Sequence, residues 1–256
     1  MKKLLIILTL CFSSQFVNAQ DDGEERVKNF NFGLKVNPNL SYMKPHLDNK
    51  TIKSDGTSLR FGYGFITDFR LNKVISFSSG VEVFGSGGRI DFAVADSAYY
   101  LFTPEGESKE AKFYANTRTM YLTFVDVPIT FKMKTPEIGS MKYFGVFGTN
   151  LGIRAKARAV DEGAYIGTKG PVYNFKSDNE NIADQVNLMR MSLNVGLGAE
   201  YNLIGSTSLV MSLNYLQGYT STLKKKQTEI VSSKVGKTID LKSFNNAFAL
   251  TVGVIF

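Results

Sequence analysis

The stretch MSLNVGLGAEYNL, residues 191–203, alternates apolar and polar side chains over its whole length. Its odd-numbered positions are apolar without exception, and each even-numbered position between them is polar or glycine. A two-residue period is that of a β-strand with one apolar and one polar face. The fold therefore depends on what the apolar face contacts.

The same alternation recurs along the chain and predicts an even number of half-apolar strands. No window approaches eighteen consecutive apolar residues, so a helical membrane span is excluded. The predicted strands are eight in number and cover residues 31–44, 58–72, 74–92, 117–135, 142–159, 186–204, 207–223 and 247–256.

The connections between these strands alternate in length. Short turns are expected near 72–73, 136–140 and 205–206, whereas long connections occupy 45–57, 93–116, 160–185 and 224–246. Short turns at one end and long loops at the other are typical of transmembrane β-barrels. A soluble β-sandwich has no physical reason to sort its loops in this way.

Aromatic residues on the apolar face also indicate a membrane environment, because belts of aromatic residues mark the two membrane interfaces. A soluble, lipocalin-like barrel would turn the apolar face inward and is the alternative. Two features described below, a charged opposite face and an N-terminal export signal, favour contact of the apolar face with lipid. Residues expected near the short-turn rim are Phe32, Phe69, Phe77, Phe131, Tyr143, Tyr201 and Phe256, and those nearer the long-loop rim are Tyr42, Phe61, Tyr121, Tyr215 and Tyr219.

The first nineteen residues read as a secretory signal peptide, with two lysines, an apolar run and a small-residue cleavage site before Gln20. A lipoprotein signal would need a small residue before Cys11, where Leu10 stands. We therefore predict a signal peptide over 1–19, a short periplasmic segment over 20–29, and an all-β, eight-stranded antiparallel up-and-down transmembrane β-barrel over 30–256 in the cell outer membrane.

Strand parity predicts which charged side chains enter the lumen. An eight-stranded barrel is barely wide enough for its own side chains, so these groups are expected to form an ion-paired network that fills it. An anion-attracting constriction is the alternative, because bases outnumber acids. The predicted inward residues are Lys35, Arg60, Asp68, Arg70, Glu82, Asp126, Lys132, Arg154, Lys156, Arg158, Arg190 and Glu200.

Residues suited to chemistry are scarce, and no catalytic, metal or cofactor site is predicted. The one histidine, His46, lies in a predicted loop, and no His or Cys cluster could hold a transition metal. The pair Asp161-Glu162 is interpreted as solvated loop residues, as is Asp21-Asp22, and Gly85–Gly88 as a strand bend or bulge. Of the net charge of +7, Lys2 and Lys3 contribute two, and the remaining +5 forms no basic stripe, so nucleic-acid binding is not expected.

Two segments resemble the PorT-like outer-membrane β-barrel family of Bacteroidota. They are TMYLTFVDVPITFKMKT (119–135) and KYFGVFGTNLGIRAKA (142–157), and the opening FNFGLKVNPNLSYMKP (30–45) and the terminal Phe256 are similar too. The resemblance spans roughly residues 30–256 and implies the barrel fold and the outer membrane. The family has no motif for chemistry, and its namesake is tied to type IX secretion.

These observations predict a non-enzymatic barrel with a side-chain-filled lumen and long extracellular loops, in a structural or interaction role. Its expected partners are outer-membrane lipid and envelope or secretion proteins; the sequence does not determine the oligomeric state. The alternatives are an accessory component of a secretion (type IX-like) or envelope-assembly complex, and a small-solute pore.

Overall fold

Eight long strands and six short ones make up the described part of the chain. The computed structural model describes residues 29–46, 52–92, 98–100, 112–166, 172–224, 226–232, 238–240 and 242–256, so the predicted signal peptide and Asp21-Asp22 lie outside the described residues. The long strands are β1 (Phe30–Pro45), β3 (Ser58–Arg70), β4 (Ile75–Asp91), β6 (Lys112–Lys134), β7 (Met141–Ile166), β10 (Met189–Ile204), β11 (Thr207–Gly218) and β14 (Ser243–Ile255). The short strands are β2 (Lys53–Ser54), β5 (Ala98–Tyr100), β8 (Val172–Lys176), β9 (Glu180–Asn181), β12 (Lys226–Ser232) and β13 (Thr238–Asp240), and a 3-10 turn, η1, covers Ala183–Gln185.

The eight long strands form a closed antiparallel barrel. Each pairs with its neighbours in the order β6-β4-β3-β1-β14-β11-β10-β7, and the β6–β7 ladder returns the sheet to its start. Closure gives every long strand a hydrogen-bonded neighbouring strand on each side. The predicted fold is confirmed.

The predicted pattern of connections is confirmed as well. Tight turns join β3 to β4, β6 to β7 and β10 to β11, and the Asn72 side chain accepts hydrogen bonds from the backbone of Val74 and Ile75 in the first of them. Gly139 and Gly205 adopt positive φ of 66° and 61° in the other two, which glycine tolerates. At the opposite end β6 and β7 run further than predicted, with 23 and 26 residues against the roughly 9–11 that cross a bilayer.

The outer face is apolar over a continuous band. On β3 it exposes Leu59, Phe61, Tyr63 and Phe65, and every other long strand presents apolar side chains outward in the same way. Aromatic rings contact one another around the short-turn rim, in the pairs Phe30–Phe69, Phe32–Phe256, Phe69–Phe77 and Phe77–Phe131. The predicted lipid-facing parity is therefore the observed one, with a local exception on β7 described below.

Strand β4 bends where the sequence reads Gly85–Gly88. Its ladder with β3 ends at the pair Gly62–Phe84, and Gly87 and Gly88 adopt φ of 143° and 154°. A Cβ on Gly88 would lie 2.6 Å from the backbone nitrogen of Met43 on β1, so the bend requires glycine there. The upper part of β4 thus leaves β3 and packs against β1, as the interpretation of a strand bend predicts.

An apolar cluster fills the barrel interior at the long-loop end. Inward side chains of β6 and β7, including Met120, Leu122 and Ala159, form its base. Each of the four long connections adds at least one buried apolar side chain, and these are Ile52, Phe92, Ile182, Val186 and Leu223. These described parts of the long connections therefore cover the barrel interior at its mouth. Among the described residues no helix is long and apolar enough to span a bilayer.

Candidate functional site in the barrel lumen

Three charged clusters occupy the lumen below the apolar cluster. Nearest the short turns, Lys132 lies 2.6 Å from Asp68 and 3.2 Å from Glu200, and Lys134 lies 2.9 Å from Glu200. Lys134 also approaches Asp68 at 3.7 Å, so two lysines alternate with two carboxylates. Such mutual pairing offsets the cost of removing all four charges from water.

The second cluster is centred on Glu82. Lys35 Nζ lies 2.5 Å from Glu82 Oε2, and the amide of Asn37 donates to the same oxygen at 2.8 Å. The amide of Asn150 donates to Oε1 at 3.4 Å. Both carboxylate oxygens are therefore satisfied by groups from β1 and β7.

The third cluster joins Arg190 to Asp126. The guanidinium Nη2 lies 2.5 Å from Asp126 Oδ2, and Nη1 donates to Asn245 Oδ1 at 3.1 Å. The same guanidinium also lies near the rings of Phe84 and Phe124, 4.8 Å and 4.3 Å from their centroids. Cation–π contact with two rings and a paired carboxylate hold Arg190 in one orientation.

Five of the eight predicted inward cations lie outside these clusters, and three of the five are Arg154, Arg70 and Arg60. Arg154 donates to the carbonyl oxygens of Ala183 and Val186 and so anchors the connection after β9. Arg70 is half-exposed at the short-turn rim. Arg60 occupies an inward position of β3, but its guanidinium lies on the outer face, 4.3 Å from the ring centroid of Tyr121. It lies beside the opening that is left where β4 departs from β3.

Two predicted lumen residues, Lys156 and Arg158, face outward instead. Phe124 pairs with Arg154 but Thr123 pairs with Lys156, so Ala155 is an extra residue and forms a β-bulge. Beyond it the parity of β7 is reversed, and Ala157 and Ala159 enter the apolar cluster while Lys156 and Arg158 are exposed. Sequence parity failed here because one inserted residue exchanges the two faces.

Other buried polar residues were missed from the sequence. Lys134 shares the inward parity of Lys132 and could have been found by continuing the strand count. Arg118 forms a buried pair with Asp161 at 2.6 Å and also donates to Gln185 Oε1 at 2.6 Å. The interpretation of Asp161 as a solvated loop residue was wrong, because β7 extends through it and turns it inward.

A small interior cavity lies beside Lys35 and Lys132. The interior cavity lined by Lys35, Lys132, Asn194 and Asn214 measures about 50 Å³, which is room for a few water molecules and not for a water column. His46 contacts the Phe244 ring at 5.5 Å, and no group of three His, Cys, Asp or Glu side chains in the described segments is placed to hold a metal ion.

A closed barrel with an apolar, aromatic-rimmed outside and a charged, filled inside defines a transmembrane β-barrel of the outer-membrane type. Residues 18–224 match the family described as outer membrane protein beta-barrel domain, and the chain belongs to that family. The protein is therefore located in the outer membrane.

Solved structures of outer-membrane barrels are similar over most of the chain. Neisserial surface protein A (NspA) is 12% identical, with a TM-score of 0.37, and 88% of this chain and 95% of that chain are covered. AlkL in lipid bilayers is 11% identical, with a TM-score of 0.40 and coverage of 93% and 96%. Ail of Yersinia pestis is 14% identical, with a TM-score of 0.31 and coverage of 88% and 98%. No curated protein sequence matches.

Proposed function

We propose that this protein is a non-enzymatic barrel with a closed lumen, and that its long connections form an extracellular surface for contact with other envelope molecules. The observation that carries the proposal is the filling of the lumen. Three ion-paired clusters occupy its lower part, and an apolar cluster to which every long connection contributes lies above them. A barrel filled in this way acts through its surfaces.

Conductance measurements test the closed lumen. Purified protein inserted into planar bilayers should show no steady current, while a porin inserted under the same conditions provides the positive control. Because ordered, paired side chains occupy the cross-section, brief opening events are not expected to become stable channels. Steady anion-selective conductance would contradict the closed lumen and support a small-solute pore.

Cysteine labelling of intact cells tests the orientation. On a Cys11→Ser background, Lys53→Cys places a thiol in the long connection after β1, and Glu137→Cys places one in the turn between β6 and β7; both positions are exposed. A membrane-impermeant maleimide should label the first variant and not the second. Labelling of Glu137→Cys alone would show that the barrel has the opposite orientation in the membrane, with the long connections on the periplasmic side.

A second candidate is an accessory role in a type IX-like secretion or envelope-assembly complex. The resemblance of residues 119–135 and 142–157 to the PorT-like family supports it. Affinity purification from native outer membranes should then recover periplasmic or membrane components of such a complex. Recovery of the barrel alone after mild cross-linking would contradict this role.

A further inference from the structure

A basic recess opens on the outer wall of the barrel near the long-loop end. Its volume is about 550 Å³, and its lining includes Arg60, Phe61, Tyr121, Lys156 and Arg158. Tyr121 and Phe61 belong to the outward parity of their strands and are largely exposed. The recess therefore opens toward the membrane side of the wall, and its lining also includes Leu122 of the apolar cluster.

Two local departures from regular strand geometry bring three cations to this recess. The bulge at Ala155 turns Lys156 and Arg158 to the outer face. The divergence of β4 from β3 leaves an opening beside Arg60, whose guanidinium lies over the Tyr121 ring. A regular barrel would have kept all three cations inside.

Within the described residues, no acidic partner neutralises the positive charge of the recess. No acidic side chain lines it, and within the described part of the chain Arg60, Lys156 and Arg158 form no ion pair. Glu162, the next acid on the outer face of β7, lies 2.8 Å from Lys176 and 3.9 Å from Arg89. The hydrogen bond from Lys176 lowers the pKa of Glu162, so this carboxylate is ionised and already paired.

The recess lies at the boundary of the apolar band. On β7 the outward apolar side chains run from Tyr143 to Ile153, and Lys156 follows directly. Ten residues rise by roughly 33 Å along a strand, or about 25 Å along the normal of a bilayer when the strand is tilted by about 40°. That is the height of the apolar band of a barrel, so the cations lie at the level of lipid headgroups.

We infer that this recess binds the phosphate group of a membrane lipid in the leaflet at the long-loop end. The guanidinium group of Arg158 provides paired N–H donors that suit phosphate oxygens, and Lys156 adds a second positive charge. Arg60 adds a third, and its terminal nitrogens also donate long hydrogen bonds to the carbonyl oxygens of Leu59 and Met120, at 3.4 Å and 3.3 Å. Phe61 and Tyr121 flank the cations with apolar surface, and the acyl chains would continue down the band beside Val125 and Ile153.

Lipid binding to the purified barrel in neutral detergent tests this inference. Native mass spectrometry should show stronger binding of a short-chain phosphatidic acid than of the matching diacylglycerol, which lacks the phosphate. The double variant Lys156→Gln/Arg158→Gln should weaken phosphatidic acid binding by about tenfold or more, because each cation near a membrane surface contributes appreciably to anionic lipid binding. Heat-modifiable gel mobility verifies that each variant is folded.

The matched control is Lys44→Gln/Lys53→Gln, which removes two exposed cations from the same end of the barrel but outside the recess. This control variant should bind phosphatidic acid more strongly than diacylglycerol, as the wild type does. Equal binding by the wild type and the recess variant, or equal losses in both double variants, would overturn the specific site. Inorganic phosphate that competes as strongly as the lipid would overturn the assignment to a lipid.

Discussion

Arg190 on β10 and Asp126 on β6 meet over Gly152 of the intervening strand β7. Gly152 pairs with Asp126 on one side and with Arg190 on the other, and a Cβ there would lie 2.3 Å from Asp126 Oδ1. The missing side chain is therefore what lets two strands that are not neighbours share an ion pair. This ion pair therefore links β6 and β10 through the lumen, across the intervening strand β7.

Removal of Asp126 should destabilise the barrel strongly. Asp126→Ala leaves the Arg190 guanidinium buried without its carboxylate partner, which typically costs about 3–5 kcal/mol. Urea unfolding of the protein in lipid vesicles measures the change. Asp55→Ala removes a half-exposed partner of Arg89 at 2.9 Å and should cost less than about 1 kcal/mol. Similar losses in the two variants would contradict the importance of the buried pair.

A methyl group at position 152 should act through the same contact. Gly152→Ala forces Asp126 and Arg190 apart and should cost about 1–3 kcal/mol by overpacking. Gly145→Ala, on the same strand but facing outward, meets no atom closer than 3.8 Å and should be nearly neutral. Unfolding of both variants under identical conditions checks this difference, and equal stability would show that the interior tolerates a side chain there.

A charge on the lipid face should be costly in proportion to its depth. Leu197 is 74% exposed near the middle of β10, and Leu197→Arg should cost about 2–4 kcal/mol. Leu203→Arg, closer to the short-turn rim on the same strand and face, should cost about 0–1 kcal/mol. Unfolding in vesicles measures both, and a larger cost at position 203 would mean that the band lies lower on the barrel.

The bulge at Ala155 predicts an alternation of thiol reactivity on β7. On a Cys11→Ser background, Arg158→Cys should react rapidly with a polar maleimide in detergent, because its side chain is on the outer face. Ala159→Cys should be protected, because Ala159 is fully buried in the apolar cluster. Mass spectrometry of timed samples gives the rates. Protection at position 158 together with reactivity at position 159 would show that β7 has no bulge at Ala155 and that its two faces are not exchanged.

Local patterns in the sequence were enough to predict the barrel. The alternation in residues 191–203 defines a strand with two unlike faces, and the alternating loop lengths require that the strands run up and down around one sheet. Side-chain direction along a regular strand follows from its two-residue period. For that reason the strand period alone places Asp68, Lys132 and Glu200 inside the barrel.

The tertiary structure alone decided where that period breaks and which charges pair. Lys156 and Arg158 have the charge and the strand parity expected of lumen residues, but a single extra residue at Ala155 exchanges the two faces of β7. Such a bulge depends on the fit between neighbouring strands rather than on local sequence preference. The pairing of Arg190 with Asp126 depends on the stagger of three strands. The apolar cluster depends on the described parts of the long connections, which bring Ile52 and Leu223 into one cluster with wall residues that are distant from them in the sequence.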